Sequence, residues 1–259
     1  MPDLSWREAI IKVLKVNKKP LHYTAIAQGI IDSRYRRNVG ATPAATVAAT
    51  LATSLKNEGE SSPFFKPERG FYGLREVSPG AEDMDETNEA QEDAEEMGFI
   101  NALGMFWRRG EVNWKPRVPV LMGFQQAGSQ EVDFGGEVGV YLLHDGSRVV
   151  YVGQVSEPRL SARLGEHTRD RLSGRWDRFS WFGVRRVTPD GRLEDVPTEF
   201  TLKNLISTME ALLIEGLEPP QNRRQGNGFN AVEFLQRTDP ELSRLKQKLL
   251  LTELAKNLD

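Results

Sequence analysis

Gly139-Val140-Tyr141-Leu142-Leu143-His144-Asp145-Gly146-Ser147-Arg148-Val149-Val150-Tyr151-Val152-Gly153 reads as two strands and a turn. Segments rich in β-branched and aromatic side chains flank Asp145-Gly146, and that dipeptide in such a setting is a strong hairpin signal. Tyr141 and Tyr151 then stand on adjacent antiparallel strands, where side chains on one face come within a few ångströms of each other. A hairpin with two core tyrosines has the same pattern, so the chemistry must be argued from the residues on either side.

Downstream, residues 160–172 read as a helix with Arg163 and His167 four apart, hence on one face. A strand-rich stretch at 179–184 and a turn at Pro189-Asp190-Gly191 follow. Residues 198–215 read as a long apolar-periodic helix with Glu210 among Leu202, Leu205, Ile206, Met209, Leu212 and Leu213. A carboxylate near an apolar face is costly to bury unless something pairs with it, and a divalent cation is one such partner. The alternative is that Glu210 and Glu215 both lie at the edge in water. Pro219-Pro220-Gln221-Asn222 reads as a rigid exit expected to bring Asn222 back toward the sheet. Between Arg148 and Arg186 nine bases stand against four acids, and with Trp176, Phe179, Trp181 and Phe182 they fit a DNA-facing surface backed by packed aromatics, the aromatics themselves being more often core. From Phe234 onward, Leu235, Leu242, Leu245, Leu249, Leu250 and Leu254 suggest helices that cover the sheet or pair two subunits.

Upstream, Phe99, Ile100, Leu103, Phe106 and Trp107 recur at helical spacing and predict a helix, with a proline-broken apolar stretch at 116–122 as scaffold. Residues 82–96 carry nine acids and no base, a solvated linker by composition, with a phosphate mimic over a basic groove as the rival reading. Without that run the chain has 34 bases against 28 acids, which permits nucleic-acid binding without demanding it. The absence of cysteine from the 259 residues excludes disulfides, a thiol nucleophile and thiolate zinc sites, and three histidines leave little for a histidine metal cage. No apolar run reaches the ~20 residues of a membrane span, and the N-terminus lacks the apolar core of a secretory signal, so a cytoplasmic protein is expected.

In the first segment Ser5 and Glu8 form a capping-box pattern ahead of a helix ending near Asn17. A second helix is read at 23–31 and a third to about Asn57, with Thr42 as its N-cap and Pro43 at its first position, and Phe64 to Leu74 as two short strands around Pro67-Glu68-Arg69-Gly70. Three helices and a hairpin describe a winged helix-turn-helix. Small side chains on the third helix would allow close approach to a DNA groove, with Arg34, Arg36, Arg37, Lys56, Lys66 and Arg69 available for phosphates. Equally, its alanines would let three helices pack tightly in a protein-contact module. The order SWREAIIKVL, KPLHYTAIAQGI, TPAATVAATLATSL, SPFFKPERGFYGL across residues 4–76 resembles the HARE-HTH family, winged helices attached to chromatin proteins and bacterial restriction enzymes.

The ordered set of GVY at 139–141, YVG at 151–153, Arg163 with His167, Glu210 and Asn222 resembles the GIY-YIG nuclease family over residues 137–229, with valine replacing isoleucine in both tripeptides. The fold class implied is α+β: a winged helix at 1–77, an acidic linker at 78–96, and at 97–259 a GIY-YIG α/β domain with a small mixed or antiparallel three-stranded sheet flanked by helices. The resemblance implies a DNA endonuclease in which Glu210 anchors one Mg²⁺ or Mn²⁺ per active site. In that family pattern Arg163 braces the phosphate, Tyr141 or Tyr151 orients or deprotonates the attacking water, His167 assists proton transfer or contacts a phosphate, and Asn222 holds the site by hydrogen bonding. With a reference pKa near ~10, a tyrosine is a poor base unless a cation favours its phenolate.

Double-stranded DNA is the expected partner, in the cytoplasm and nucleoid-associated, with no membrane; one site cuts one strand, so double-strand cleavage would take a homodimer or two successive events. The expected setting is restriction of foreign or modified DNA. The rivals are a repair nuclease for lesions or branched DNA, and a non-catalytic DNA-binding protein. Pro189-Asp190 begins a P-D…E-x-K pattern that no E-x-K completes, and His22, His144 and His167 make no H-N-H arrangement.

Overall fold

Ser5 opens the first helix by a reciprocal cap: its hydroxyl accepts the Glu8 N–H, and the Glu8 carboxylate accepts the Ser5 N–H at 2.9 Å. The computed structural model describes residues 3–75, 99–196 and 231–256, together with Thr208, Met209, Leu212, Leu213 and Gly216. The acidic linker expected at 78–96 lies outside these residues, as do Glu210 and Asn222. Two units divide the chain, Met1–Met97 with Gln126–Gln130, and Gly98–Gln125 with Glu131–Asp259.

The first unit contains α1 (Trp6–Asn17), β1 (Leu21–His22), α2 (Tyr23–Asp32), α3 (Pro43–Glu58), β2 (Phe64–Glu68) and β3 (Phe71–Leu74). Ile10 and Leu14 of α1, Ile26 and Ile30 of α2, and Val47 and Leu51 of α3 meet Phe64 and Tyr72 in one core, each large side chain contributing about 1.5–3 kcal/mol by leaving water. The three helices and the hairpin follow the sequence expectation. Two details differ. Thr42 makes no side-chain cap, and its carbonyl instead accepts the Thr46 N–H and hydroxyl. The two-residue strand β1, too short to leave a periodic signal, pairs with β3 to make a three-stranded sheet in the order β1-β3-β2.

The second unit is built on β4 (Ala102–Arg108), β5 (Met122–Phe124), β6 (Val132–Asp133), β7 (Gly139–Asp145), β8 (Arg148–Val155), α4 (Leu160–His167), β9 (Arg178–Gly183), β10 (Val232–Glu233), β11 (Leu235–Gln236) and α5 (Pro240–Lys256). The main sheet has five strands in the order β10-β4-β9-β7-β8 rather than the expected three; β10 and β4 are parallel, the other pairs antiparallel. A second sheet has the order β11-β5-β6. The hairpin forms as expected, with Asp145 paired to Arg148 around Gly146-Ser147.

The helix expected over Phe99 to Trp107 is instead strand β4. Its register against β9 shifts between Gly104 and Trp107, where Phe106 takes a φ of 51°. Leu103 pairs with Phe182 and Trp107 with Phe179, and these partners, three apart on β9, face opposite sides of the sheet. Two covered faces and a bulge thus mimic helical spacing. One face carries Tyr141, Phe179, Trp181 and Trp107; the other packs Leu142, Phe182 and Leu103 with Leu212. Trp176, Phe179, Trp181 and Phe182 are core.

Helix α4 stops at His167 rather than Leu172. In α5, Leu245, Leu249, Leu250, Leu251 and Leu254 are each more than half exposed, so they do not cover the sheet. No helix among the described residues is long and apolar enough to cross a membrane.

Candidate active site

The two glycines of GVY and YVG are demanded by their surroundings. Gly139 has φ 150°, and a Cβ there would lie 2.0 Å from the Phe182 carbonyl oxygen on the neighbouring strand. Gly153 is paired with Tyr141, and a Cβ on it would lie 2.2 Å from the phenol oxygen and Cζ. The ring of Tyr141 thus lies over Gly153. Gly153→Ala is expected to cost about 1–3 kcal/mol of stability as an overpacked site and to displace the phenol. Gly110→Ala, with nothing within 4 Å of its added methyl, is the neutral control. Denaturant midpoints of the two variants check this; equal midpoints would contradict it.

Leu160 and Leu164 bury one side of α4, which turns Arg163 and His167 toward the phenols. His167 Nε2 lies 2.8 Å from the Tyr141 hydroxyl, and the rings of Tyr151 and His167 meet edge-on at 5.0 Å. Tyr141 and Tyr151 are 6.2 Å apart between ring centroids. Burial pushes the Tyr141 phenol up to about 12, although the Arg163 guanidinium beside it pulls the other way. The expectation that a neighbouring cation favours the phenolate is thus outweighed by desolvation.

Arg163 is also paired with Glu166, and Arg159 reaches the other oxygen of the same carboxylate at 3.0 Å. Chiefly through Arg163, these bonds hold the Glu166 carboxyl below the usual carboxylate range. An open cleft of about 140 Å³ adjoins the two arginines, lined also by Gln154, Ser156 and Glu157. Two guanidiniums stand at this polar cleft with two carboxylates, Glu157 and Glu166, and guanidinium geometry suits phosphate where it replaces one of them.

The structure brings together Tyr141, Tyr151, Arg163 and His167. Of the segment expected to carry Glu210, Leu212 packs against the cluster containing Leu142 and Phe182, and a Cβ on Gly216 would touch Leu142 at 3.0 Å. Among the described residues no group of three or more His, Asp or Glu could hold a metal ion. Glu166 is engaged by the two arginines and Asp170 by His167. The donors among the described residues therefore do not form a cation site.

Sequence reasoning overlooked Arg159, Glu166 and Asp170. The signal was present as i+3 spacings, 163 to 166 and 167 to 170, but charged neighbours on a helix are usually surface pairs of little energetic weight.

In the first unit the basic residues divide by environment. Arg36 stacks over Trp6 at 4.8 Å and donates to the Leu4 carbonyl, so part of its bonding capacity is structural. Arg34 is exposed with φ 51°, and Arg37 is exposed while its backbone N–H donates to Asp3. Lys56 is exposed in the last turn of α3, Lys66 half-buried on β2, and Arg69 exposed in the β2–β3 turn.

Three helices closed by a small antiparallel sheet define a helix-turn-helix class of module. Residues 4–77 match the HARE-HTH family, a helix-turn-helix domain whose description names ASXL proteins and restriction endonucleases. That domain suggests DNA binding. No curated protein matches the chain, and no solved structure does.

Proposed function

We propose that the protein is a divalent-metal-dependent DNA endonuclease whose second unit hydrolyses phosphodiester bonds at a GIY-YIG site and whose HARE-HTH domain delivers it to duplex DNA. The observation that carries this reading is the bond between the Tyr141 hydroxyl and His167 Nε2, beside an arginine at an open polar cleft. Hydrolysis needs a deprotonated water, charge stabilisation at phosphorus and an escape route for the proton. Tyr141 orients the water and takes its proton, while His167 receives the phenol proton. Arg163, always charged, meets the phosphate in place of Glu166. A cation anchored by Glu210 would supply Lewis-acid stabilisation when bound. Restriction of foreign or modified DNA is the setting favoured by the HARE-HTH match, whose description includes restriction endonucleases.

The test is incubation of the purified protein with plasmid DNA in Mg²⁺ or Mn²⁺. Nicked or cut product that EDTA suppresses supports the reading, and intact DNA across metals and across modified, branched and damaged substrates refutes it. Discrete fragments support restriction; cutting confined to branched or damaged DNA would assign repair instead. Two cuts require two protomers or two events, which concentration dependence of double-strand product separates.

Deleting residues 1–77 is expected to weaken binding to duplex DNA by about 10-fold or more at physiological salt, because several phosphate contacts vanish at once. It should also flatten the salt dependence of binding. Titration of a labelled duplex with both forms checks this, and unchanged affinity would point the first unit toward a protein partner.

A further inference from the structure

His167 is buried with both ring nitrogens engaged: Nε2 lies 2.8 Å from the Tyr141 hydroxyl and Nδ1 2.7 Å from Asp170 Oδ2. A phenol can donate or accept, whereas an ionised carboxylate only accepts. The hydrogen between His167 and Asp170 therefore belongs to Nδ1. Neutral imidazole carries a single N–H, so Nε2 keeps its lone pair, and the hydrogen between it and Tyr141 is the phenol's. Asp170 is itself held in place. Its Oδ1 accepts the Leu172 N–H at 2.7 Å, and its own N–H donates to the Glu166 carbonyl at 3.1 Å. The Leu172 N–H first, then His167, holds its carboxyl below the usual carboxylate range.

We infer that Asp170 is a positioning residue for the proposed hydrolysis: it fixes His167 in the Nδ1–H tautomer so that Nε2 can take the Tyr141 proton. This rests on the nuclease reading of the same site. In the step, the phenol proton moves to Nε2 and the phenol oxygen takes a proton from water. The resulting hydroxide forms the new P–O bond as the bond to the leaving sugar oxygen breaks. That oxygen takes a proton from solvent, and the imidazolium surrenders its extra proton to the hydroxide so generated. Asp170 offsets the imidazolium charge meanwhile, as a second carboxylate does for a histidine base elsewhere.

A purely structural Asp170 would serve only to hold the turn after α4 through the Leu172 N–H. Asp170→Asn separates the two roles, because its amide oxygen still accepts that N–H but its amide no longer forces the hydrogen onto Nδ1. Ring ¹⁵N NMR of the full chain, with three histidines and His167→Gln for assignment, reads the tautomer directly. The wild type is expected to show Nδ1 protonated and Nε2 bare. In Asp170→Asn that preference is lost, and single-turnover cleavage falls by about 10–100-fold with DNA affinity unchanged. Asp170→Glu should recover part of both.

An Nε2–H tautomer in the wild type, an unchanged tautomer in Asp170→Asn, or full cleavage by that variant would each overturn the inference. A wild type that cuts no DNA overturns the nuclease reading, while the ring spectrum still decides whether Asp170 sets the tautomer.

Discussion

Tyr141→Phe is expected to lower single-turnover cleavage by about 10²–10⁴-fold, the usual weight of a positioned acid–base group. The ring stays packed over Gly153, so the loss is one hydroxyl. That hydroxyl has the His167 imidazole as its proton acceptor at 2.8 Å, and burial keeps it protonated at neutral pH. Without it the attacking water has no route to the imidazole. Affinity for DNA should hold, since the substitution removes one neutral hydroxyl and leaves the charge of Arg163 in place. Tyr151, half-buried and meeting the imidazole through an edge-on ring contact, is expected to give a smaller loss as Tyr151→Phe. That contrast would assign the water-activating role to Tyr141. Glu210→Ala sets the floor: if it anchors the ion, cleavage vanishes in every metal while binding persists. Rates from quenched-flow sampling, with fluorescence anisotropy for binding, check all three. A Tyr141→Phe variant that cuts as fast as wild type would remove the phenol from the chemistry.

Local signals in the sequence carry the elements that form by local rules. The Ser5–Glu8 cap, Pro43 at a helix start, and the glycine turns of both hairpins are each set by residues within a few positions of one another. Strand β4 reads as a helix because a bulge at Phe106 changes which side chains face each way, a property of its pairing with β9 rather than of its own residues. Strands β1, β10 and β11 have two residues each and exist only through their partners. For the site, ordered spacing brings out Tyr141, Tyr151, Arg163 and His167. Asp170 stays hidden because its role depends on how far the imidazole of His167 is turned, which the end of α4 determines.

Glu137 is equally illegible, and it leads to a second large effect. It stands two residues ahead of Gly139 and is 1 % exposed. Its Oε1 accepts the Val138 and Arg185 N–H groups at 2.9 and 3.1 Å, while Oε2 has no protein partner among the described residues. Gly183 leaves room for it, since a Cβ there would lie 2.4 Å from the carboxyl carbon. The nearby Arg185 guanidinium is spent on the Gly136, Leu193 and Glu194 carbonyls. Burial outweighs the backbone N–H groups and the Arg185 charge and lifts the carboxyl from 4.5 to about 7.

An acid whose folded pKa exceeds its unfolded one stabilises the fold fully below the unfolded value and loses that contribution as pH rises through the folded value. Between pH 4.5 and 7 the unfolded chain ionises freely while the folded one resists. The second unit should therefore lose about 3 kcal/mol across that window from this residue. Glu137→Gln keeps an oxygen for the two N–H groups and cannot ionise. Its stability should match the wild type below pH 4.5 and exceed it by about 2–3 kcal/mol at pH 8. Urea unfolding followed by tryptophan emission reads this unit, which holds Trp107, Trp114, Trp176 and Trp181 of the five tryptophans. Parallel stability curves for the two proteins would mean that Glu137 ionises in the folded state as easily as in water. Divergence in the stated window would mean that the strand bearing Tyr141 is preceded by a carboxylic acid that folding holds neutral.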